Sequence, residues 1–290
     1  MKLPFAFARR FVAGETLDAA LPAVGGLLDD GLFITLDLLG EYVDQRSKAD
    51  AFAAEYIELV ERLATFRDQR GDPAHAVGIS IKLSMIGQVI DRELCEAHLR
   101  TLLDRAKAAD LFVRLDMEGS DITQSTLDIF EAVYPDYPDH VGPVLQAYLK
   151  RTATDIARMC ELNARVRICK GAYAEPPSLA YPSMPEIREH YLAHARALLA
   201  GARYPGIATH DDQLISAVRS VVLEEAIDLD AFEFQMLYGL RPETQRQMVR
   251  DGYRMRVYVP YGTEWLPYFS RRLRERKENV FFVLKALVKG

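Results

Sequence analysis

The residues near the C-terminus combine the types and spacing needed to hold a small carboxylate. Arg271 and Arg272 are adjacent, and Tyr268 lies three positions before the first of them. Glu275 lies three positions after the second. On a helix, these spacings place the four polar ends on one side, where two guanidinium groups could grip a carboxylate by charge-assisted hydrogen bonds. A solvated basic face is the plainer alternative, because further cations follow: Arg274, Arg276 and Lys277.

The elements that must position this helix alternate regularly along the chain. Eight apolar stretches rich in β-branched residues predict buried strands, and a helical pattern follows each of them. The predicted strands cover residues 32–40, 76–84, 111–118, 141–148, 164–173, 205–210, 230–237 and 255–259. The predicted helices cover residues 49–69, 91–109, 123–133, 152–162, 185–201, 211–224 and 241–250, and the helix that contains Tyr268 comes last.

Eight strand–helix units over about 250 residues predict an α/β fold, a TIM-like (βα)8 barrel. A doubly wound parallel sheet is the alternative. No linker rich in glycine or serine divides the chain. We therefore expect a single domain overall, with an N-terminal helical segment at residues 1–30 and the catalytic barrel at residues 31–290.

Composition excludes several classes of protein. The net charge of -6 gives no indication of nucleic-acid binding. Three cysteines without a CxxC motif fit a reducing compartment. No apolar run reaches the length of a membrane span, and the order of apolar and basic residues at the N-terminus is wrong for a signal peptide. The sequence therefore predicts a cytoplasmic protein, which leaves a partner at a membrane surface open.

Polar residues recur where the predicted strands end. They are Lys82, Asp116, Glu118, Gln146, Arg167, Lys170, Thr209, His210, Gln235, Tyr258 and Tyr261. The carboxyl ends of barrel strands converge on one mouth, so we expect these side chains to meet. Lys82 and the arginine pair suit a carboxylate. A larger polar ligand is suited by Gln146, Lys170, Gly171, Thr209, His210 and Gln235. Gly171, followed by Ala172, would let the backbone approach that ligand closely.

Common catalytic signatures are absent from the sequence. It contains no GxGxxG, no GxxxxGK[ST], no HExxH and no GxSxG. His190 and His194 are four residues apart, but no carboxylate completes a known zinc pattern beside them. We interpret them as a pair on a helix surface and predict no metal site.

Nine motifs in order resemble those of the proline dehydrogenases, the FAD-dependent (βα)8-barrel enzymes, in their monofunctional bacterial form. The motifs are DLLGE (37–41), ISIKLS (79–84), LDME (115–118), LQAYL (145–149), VRICKGAY (166–173), ATH (208–210), FEFQMLYG (232–239), YVPYG (258–262) and YFSRRLRE (268–275). The resemblance implies a distorted barrel whose last helix lies over the mouth. It also implies that the chain lacks the aldehyde dehydrogenase domain of the bifunctional relatives.

The resemblance implies a role for each matching residue. Those expected to surround the substrate are Lys82, Leu237, Tyr258, Tyr268, Arg271, Arg272 and Glu275. Those expected to hold FAD are Met117, Gln146, Arg167, Lys170, Gly171, Ala172, Thr209, His210, Gln235, Arg272 and Glu275. Asp116, beside Lys82, and Arg167, as a donor to flavin N5, are the expected catalytic residues.

The implied reaction oxidises L-proline to 1-pyrroline-5-carboxylate, the first step of proline catabolism to glutamate. A hydride would pass from proline C5 to flavin N5, and a quinone would reoxidise the flavin. The quinone implies transient contact with the inner membrane face. The next partner would be a separate dehydrogenase for 1-pyrroline-5-carboxylate or glutamate semialdehyde.

Two other functions remain open from the residues alone. One is a non-catalytic barrel that binds an amino acid or a phosphate, with the arginines gripping the anion and no flavin present. The other is an aldolase-type lyase in which Lys170 forms a Schiff base. That lysine would need a lowered pKa in an apolar pocket, and the sequence does not indicate one.

Overall fold

The structure, a computed structural model, describes residues 5–40 and 42–275, without the side chains of residues 271 and 273–275. Its centre is a closed barrel of parallel strands that neighbour one another in chain order. The strands are β1 (Phe33–Leu38), β2 (Val77–Ile81), β3 (Phe112–Leu115), β4 (Val141–Gln146), β5 (Arg167–Cys169), β6 (Gly206–Ala208), β7 (Glu233–Leu237) and β8 (Met255–Tyr261). β8 closes the barrel against β1, with Phe33 beside Arg256 and Leu38 beside Tyr261. The predicted (βα)8 barrel is therefore confirmed, and the doubly wound sheet is excluded.

The helices also follow the sequence prediction. They are α1 (Leu17–Asp29), α2 (Arg46–Arg70), α3 (Arg92–Ala108), α4 (Ser120–Val133), α5 (Thr152–Glu161), α6 (Met184–Gly201), α7 (Asp212–Glu224), α8 (Pro242–Arg250) and α9 (Trp265–Glu275). Several begin at a side chain that accepts a backbone hydrogen bond from the first turn, as Asp91 does for α3 and Ser183 for α6. Asp211 caps α7 in the same way, so its carboxylate is held at the end of the loop that follows β6.

The outer face of the barrel is apolar and packs against the helices. In β1, for example, Ile34, Leu36 and Leu38 are buried in the main hydrophobic core. Each such side chain contributes roughly 1.5–3 kcal/mol by leaving water. This burial positions the strands, and through them the side chains that alternate onto the inner face.

The inner face of the barrel is polar, which the apolar strand patterns did not indicate. Barrel interiors are usually filled by branched apolar side chains. Here, buried charged and polar groups project inward from most of the strands: Asp37, Ser80, Lys82, Arg114, Gln146, Arg167, Glu233, Gln235 and Arg256, with the partly buried Asp116 among them. Gly206 provides room for them, since a Cβ there would lie 2.4 Å from Nε2 of Gln235. The barrel thus contains a connected polar interior.

The N-terminal segment holds α9 at the mouth of the barrel. Phe11 packs against Phe269 at 6.2 Å between ring centroids, within a second core cluster that includes Trp265. Leu39, which follows β1, and Leu237, at the end of β7, contact the same cluster. The last helix therefore lies over the C-terminal ends of the strands.

Candidate active site

Two ion pairs lie inside the barrel towards its mouth, one between the ends of the adjacent strands β1 and β2 and one between β5 and the residue after β3. Lys82 Nζ lies 2.9 Å from Asp37 Oδ1, and Arg167 Nη1 lies 2.9 Å from Asp116 Oδ1. Lys82, Asp37 and Arg167 are all less than a tenth exposed. The second carboxylate oxygen of Asp37 is buried and has no hydrogen-bond partner among the described residues. Asp37 therefore fixes the lysine while retaining a free acceptor.

Arg167 is the centre of a hydrogen-bonded network that crosses the barrel. Its Nε donates to Oε1 of Gln235 at 2.5 Å, and its Nη1 donates to the Ser80 hydroxyl at 3.2 Å. Tyr258 donates its hydroxyl to Asp116 at 2.7 Å, and its ring centroid lies 5.3 Å from the Arg167 guanidinium. Side chains from β2, β7, β8 and the residue after β3 thus converge on one guanidinium and fix its orientation.

Burial and neighbouring charges set the protonation states of the ionisable side chains at this mouth. It raises the pKa of Asp37, although the Lys82 ammonium opposes that rise. Burial by itself would lower the pKa of Lys82, but Asp37 and Asp116 outweigh it and raise that pKa. Burial also raises the pKa of Tyr258, and the neighbouring Asp116 carboxylate adds to the effect. Lys82 therefore remains a cation and Tyr258 a neutral hydrogen-bond donor.

A second group of charges lies beyond β5 and β6. Lys170 and Arg188 both contact Oδ2 of Asp211, at 3.2 and 2.8 Å. Burial favours the neutral acid, but the two cations outweigh it and lower the pKa of Asp211. Because two partly exposed cations share one carboxylate, this side of the mouth carries excess positive charge.

Gly171 lets the chain turn sharply beside these charges. Its φ is +109°, a conformation that other residues rarely adopt. A Cβ at this position would also lie 2.1 Å from the ring of Tyr148. Glycine is therefore required here on both grounds, and the backbone after β5 is exposed to a close approach.

The remaining predicted site residues are anchored at the same mouth. His210 accepts a hydrogen bond from the backbone of Leu237 at 2.9 Å, and Gln146 donates to the carbonyl of Glu118 at 2.8 Å. Thr209 accepts from the backbone of Asp211 at 3.1 Å. Of the other residues expected at the site, Met117 is buried in the main core and Ala172 is exposed. Leu237 is half-buried and packs against the second core cluster.

The arginine pair is described only in part. The side chains of Arg271 and Glu275 lie outside the described residues, although both positions belong to α9. The Arg272 guanidinium lies 5.3 Å from the centroid of the Tyr268 ring, a cation–π contact. Tyr268 is buried beside Leu39 and Leu237. Arg272 and Tyr268 therefore lie on the same side of α9, as their spacing predicted, and the other two members of the set lie outside the described side chains.

Two expectations from the sequence, one for Tyr261 and one for the histidine pair of α6, do not agree with the structure. Tyr261 points outward, where it lines a cavity with Phe52 and Leu59 from α2. His194 is buried, and His190 stacks on Tyr181 at 3.7 Å between ring centroids, so the two histidines do not form the surface pair that was predicted.

Within the described residues, no cluster of metal-ligating side chains occurs, and no helix has the length and apolar character that a membrane crossing requires.

Sequence reasoning missed residues that complete the site. Asp37 occupies the end of β1, the same kind of position that drew attention to Lys82 and Asp116, and could have been found by that rule. Ser80 and Arg188 carry no comparable signal, because one is a small hydroxyl within a strand and the other lies on α6. Their roles depend on tertiary contacts.

Comparison with known proteins gives one consistent family. The family model described as proline dehydrogenase matches residues 20–285. The chain is 41% identical to a protein named proline dehydrogenase from Deinococcus radiodurans, over 98% of this chain and 90% of that protein. It is 40% identical to proline dehydrogenase 1 of Bacillus subtilis, over 97% of this chain and 91% of the relative.

A solved structure gives the same result in three dimensions. The chain is similar to proline utilization A from Bdellovibrio bacteriovorus, inactivated by N-propargylglycine, with a TM-score of 0.86 and 27% sequence identity. The match covers 93% of this chain and 32% of that larger protein.

Proposed function

The chain belongs to the proline dehydrogenase family, and we propose that it oxidises L-proline to 1-pyrroline-5-carboxylate with a bound FAD and a quinone as the electron acceptor. The observation that carries the proposal is the convergence of two buried ion pairs, Lys82 with Asp37 and Arg167 with Asp116, on the mouth that α9 covers. The family relationship indicates proline as the substrate, and the cations of the site have the charge that a substrate carboxylate requires.

The substrate carboxylate would bind to Lys82 and to the arginines of α9. Lys82 remains protonated, and Asp37 engages it through one oxygen, so its other N–H groups are available to the substrate. Arg271 and Arg272 would add forked hydrogen bonds. Tyr258, Tyr268 and Leu237 offer aromatic and apolar surface for the pyrrolidine ring, and Glu275 would orient the arginines.

The chemistry of the donors fits FAD. Lys170 and Arg188 present excess positive charge that suits a diphosphate, and Gly171 gives backbone access beside them. Thr209 and His210 lie at the end of the neighbouring strand. The other residues expected to hold the cofactor are Met117, Gln146, Ala172, Gln235, Arg272 and Glu275. When bound, FAD would supply the acceptor for the hydride that leaves proline C5.

Arg167 and Asp116 would act as the catalytic pair. Three partners hold the guanidinium of Arg167, so it keeps its orientation at little further entropic cost. It would stabilise negative charge that develops beside it, and the Asp116 carboxylate would hold the Tyr258 hydroxyl towards the substrate. Burial excludes water from these groups and strengthens each interaction.

The lyase alternative is disfavoured by the position of Lys170. Its side chain is 30% exposed and contacts the Asp211 carboxylate, whereas a Schiff-base lysine requires an apolar pocket. The quinone, a transient contact with the inner membrane face and the transfer of product to a separate dehydrogenase belong to the proposal by family resemblance.

The experiment is an anaerobic flavin spectrum of the purified protein with and without L-proline. We expect a yellow protein that releases FAD on denaturation and whose flavin absorbance is bleached by proline. A Lys82→Met variant should keep its FAD but require at least tenfold more proline, about 1.5–3 kcal/mol for a lost charged hydrogen bond. A folded protein that binds no flavin, or FMN alone, would refute the proposal.

A further inference from the structure

A polar cavity of about 190 Å³ lies at the end of the barrel opposite the candidate active site. It is lined mainly by residues at or before the starts of the strands, including Arg114, Arg165, Glu233 and Arg256, and it reaches inward to Arg167 and Gln235. His75 at its rim is exposed, so the cavity is accessible from solvent. At about 30 Å³ for each water, it has room for a small ion with a few waters.

Two arginines of this cavity have no acidic partner. Arg256 is paired with Glu233 at 2.7 Å and also donates to two backbone carbonyls. Arg167, which also lines the cavity, is paired with Asp116. By contrast, no carboxylate of the described residues lies within 4.0 Å of the guanidinium of Arg114 or Arg165. Arg114 donates only to the carbonyls of Pro143 and Arg165. The cavity therefore carries positive charge that the protein does not neutralise.

Arg165 is rigidly positioned at this cavity. Its guanidinium lies between two aromatic rings, 4.1 Å from the centroid of Phe112 and 4.9 Å from that of Tyr204. Such stacking leaves the edge of a guanidinium available for hydrogen bonds. A cation held in this way has little entropy to lose on binding an anion.

The other charged groups at the rim do not cancel this charge. Asp139 is paired with Arg203, and Asp110 is exposed at the surface. His140 is hydrogen-bonded to the carbonyl of Leu111 at 3.2 Å. Burial, with repulsion from Arg256, lowers the pKa of Arg165 to about 10, despite the attraction of Glu233. An anion bound here would relieve that repulsion.

We propose that this cavity binds a small tetrahedral oxyanion of the phosphate type, through Arg114 and Arg165. The cavity is large enough for such an anion. The two unneutralised guanidinium groups provide charge-assisted donors for oxygen atoms that carry negative charge. The site is distinct from the proposed substrate site, because the arginines of α9 and the ion pair of Lys82 lie at the other end of the barrel, although Arg167 and Gln235 border both.

The test is calorimetric titration of the purified, FAD-loaded protein with inorganic phosphate, against chloride at matched ionic strength. We expect one saturable phosphate site per chain. At phosphate tenfold above its dissociation constant, the melting temperature should rise by about 3 °C, and chloride should not reproduce the rise. Arg165→Gln should weaken phosphate binding at least tenfold, as expected for a lost hydrogen bond to a charged group.

Arg196→Gln provides the matched control, because Arg196 is an exposed arginine on α6 that pairs with Glu225 at 2.8 Å. It should bind phosphate like the wild type. Wild-type protein without saturable binding would overturn the proposal, as would an Arg165→Gln variant that binds phosphate unchanged. If Arg165→Gln does not fold, Arg165→Lys serves instead, since it keeps the charge but loses the fork and should also bind phosphate more weakly.

Discussion

Replacing Glu233 with glutamine tests whether the polar interior holds the barrel together. Its carboxylate is 2% exposed and accepts hydrogen bonds from Arg256 at 2.7 Å, Gln235 at 2.5 Å and Tyr204 at 3.1 Å. Glu233→Gln removes the charge that balances Arg256 and turns one acceptor into a donor that faces other donors. Removing one partner of a buried ion pair costs about 3–5 kcal/mol. We therefore expect the melting temperature to fall by roughly 6 °C or more.

The pH dependence of stability provides a second measure of the same interaction. Burial alone would raise the pKa of Glu233, but Arg256, Arg165 and Arg114 lower it from 4.5 to about 2. The unfolded chain thus binds this proton more tightly than the folded protein does. The stabilisation is complete above about pH 4.5 and is lost as the pH falls towards 2. A difference of about 2.5 units corresponds to roughly 3 kcal/mol.

The assay is urea unfolding at several pH values between 7 and 3, with both proteins measured at matched ionic strength. The wild type should lose stability more steeply than Glu233→Gln below about pH 4.5. Glu243→Gln is the control, because Glu243 is 82% exposed and its pairing with Arg246 is a surface contact worth little. A melting temperature within 2 °C of the wild type, or equal slopes below pH 4.5, would refute the reasoning.

Two further predictions concern the mouth of the barrel. Gly171→Ala should reduce the amount of FAD per chain and lower the melting temperature, because the φ of +109° costs about 1–3 kcal/mol and the new Cβ meets Tyr148. Gly26→Ala is the control, because a Cβ at this position of α1 would meet no other part of the protein, so it should keep the FAD content and should not lower the melting temperature. Arg167→Ala should retain most of its FAD but leave Asp116 without its cation, lower the flavin reduction potential and slow single-turnover reduction by proline. An unchanged potential would mean that Arg167 does not lie near the reacting part of the flavin.

The fold could be predicted because its signal is local and repeated. Each apolar run was short, each helix had its own amphipathic pattern, and both had the lengths that strands and helices of a barrel need. The expectation that polar side chains of different strands meet was met in geometry by Asp116 and Arg167, which form an ion pair, and by Lys82, which pairs with Asp37, since a closed barrel brings its inward-facing positions together. Tyr261 failed because one residue of register along β8 turns the side chain from the axis to α2.

The polar interior could not be predicted because it depends on partners that are distant in sequence. Arg256 and Glu233 lie 23 residues apart, and Arg167 and Gln235 lie 68 apart. In the sequence, each is a single charged or polar residue in an apolar strand, and a lone residue of this kind is easily taken for a loop-facing group. Only closure of the barrel shows that alternate positions of β5, β7 and β8 face the same axis.

This interior connects the two ends of the barrel. Arg256 donates to Glu233, Gln235 donates to the same carboxylate oxygen, and Arg167 donates to Gln235 and to Asp116. Each bond requires its acceptor in one orientation, so the amide of Gln235 is fixed by the charges on both sides of it. A substitution at the end of the barrel opposite the mouth should therefore change the orientation of the Arg167 guanidinium. In an apolar interior, Arg167 would lack this support and would have only Asp116 and Ser80 to hold it.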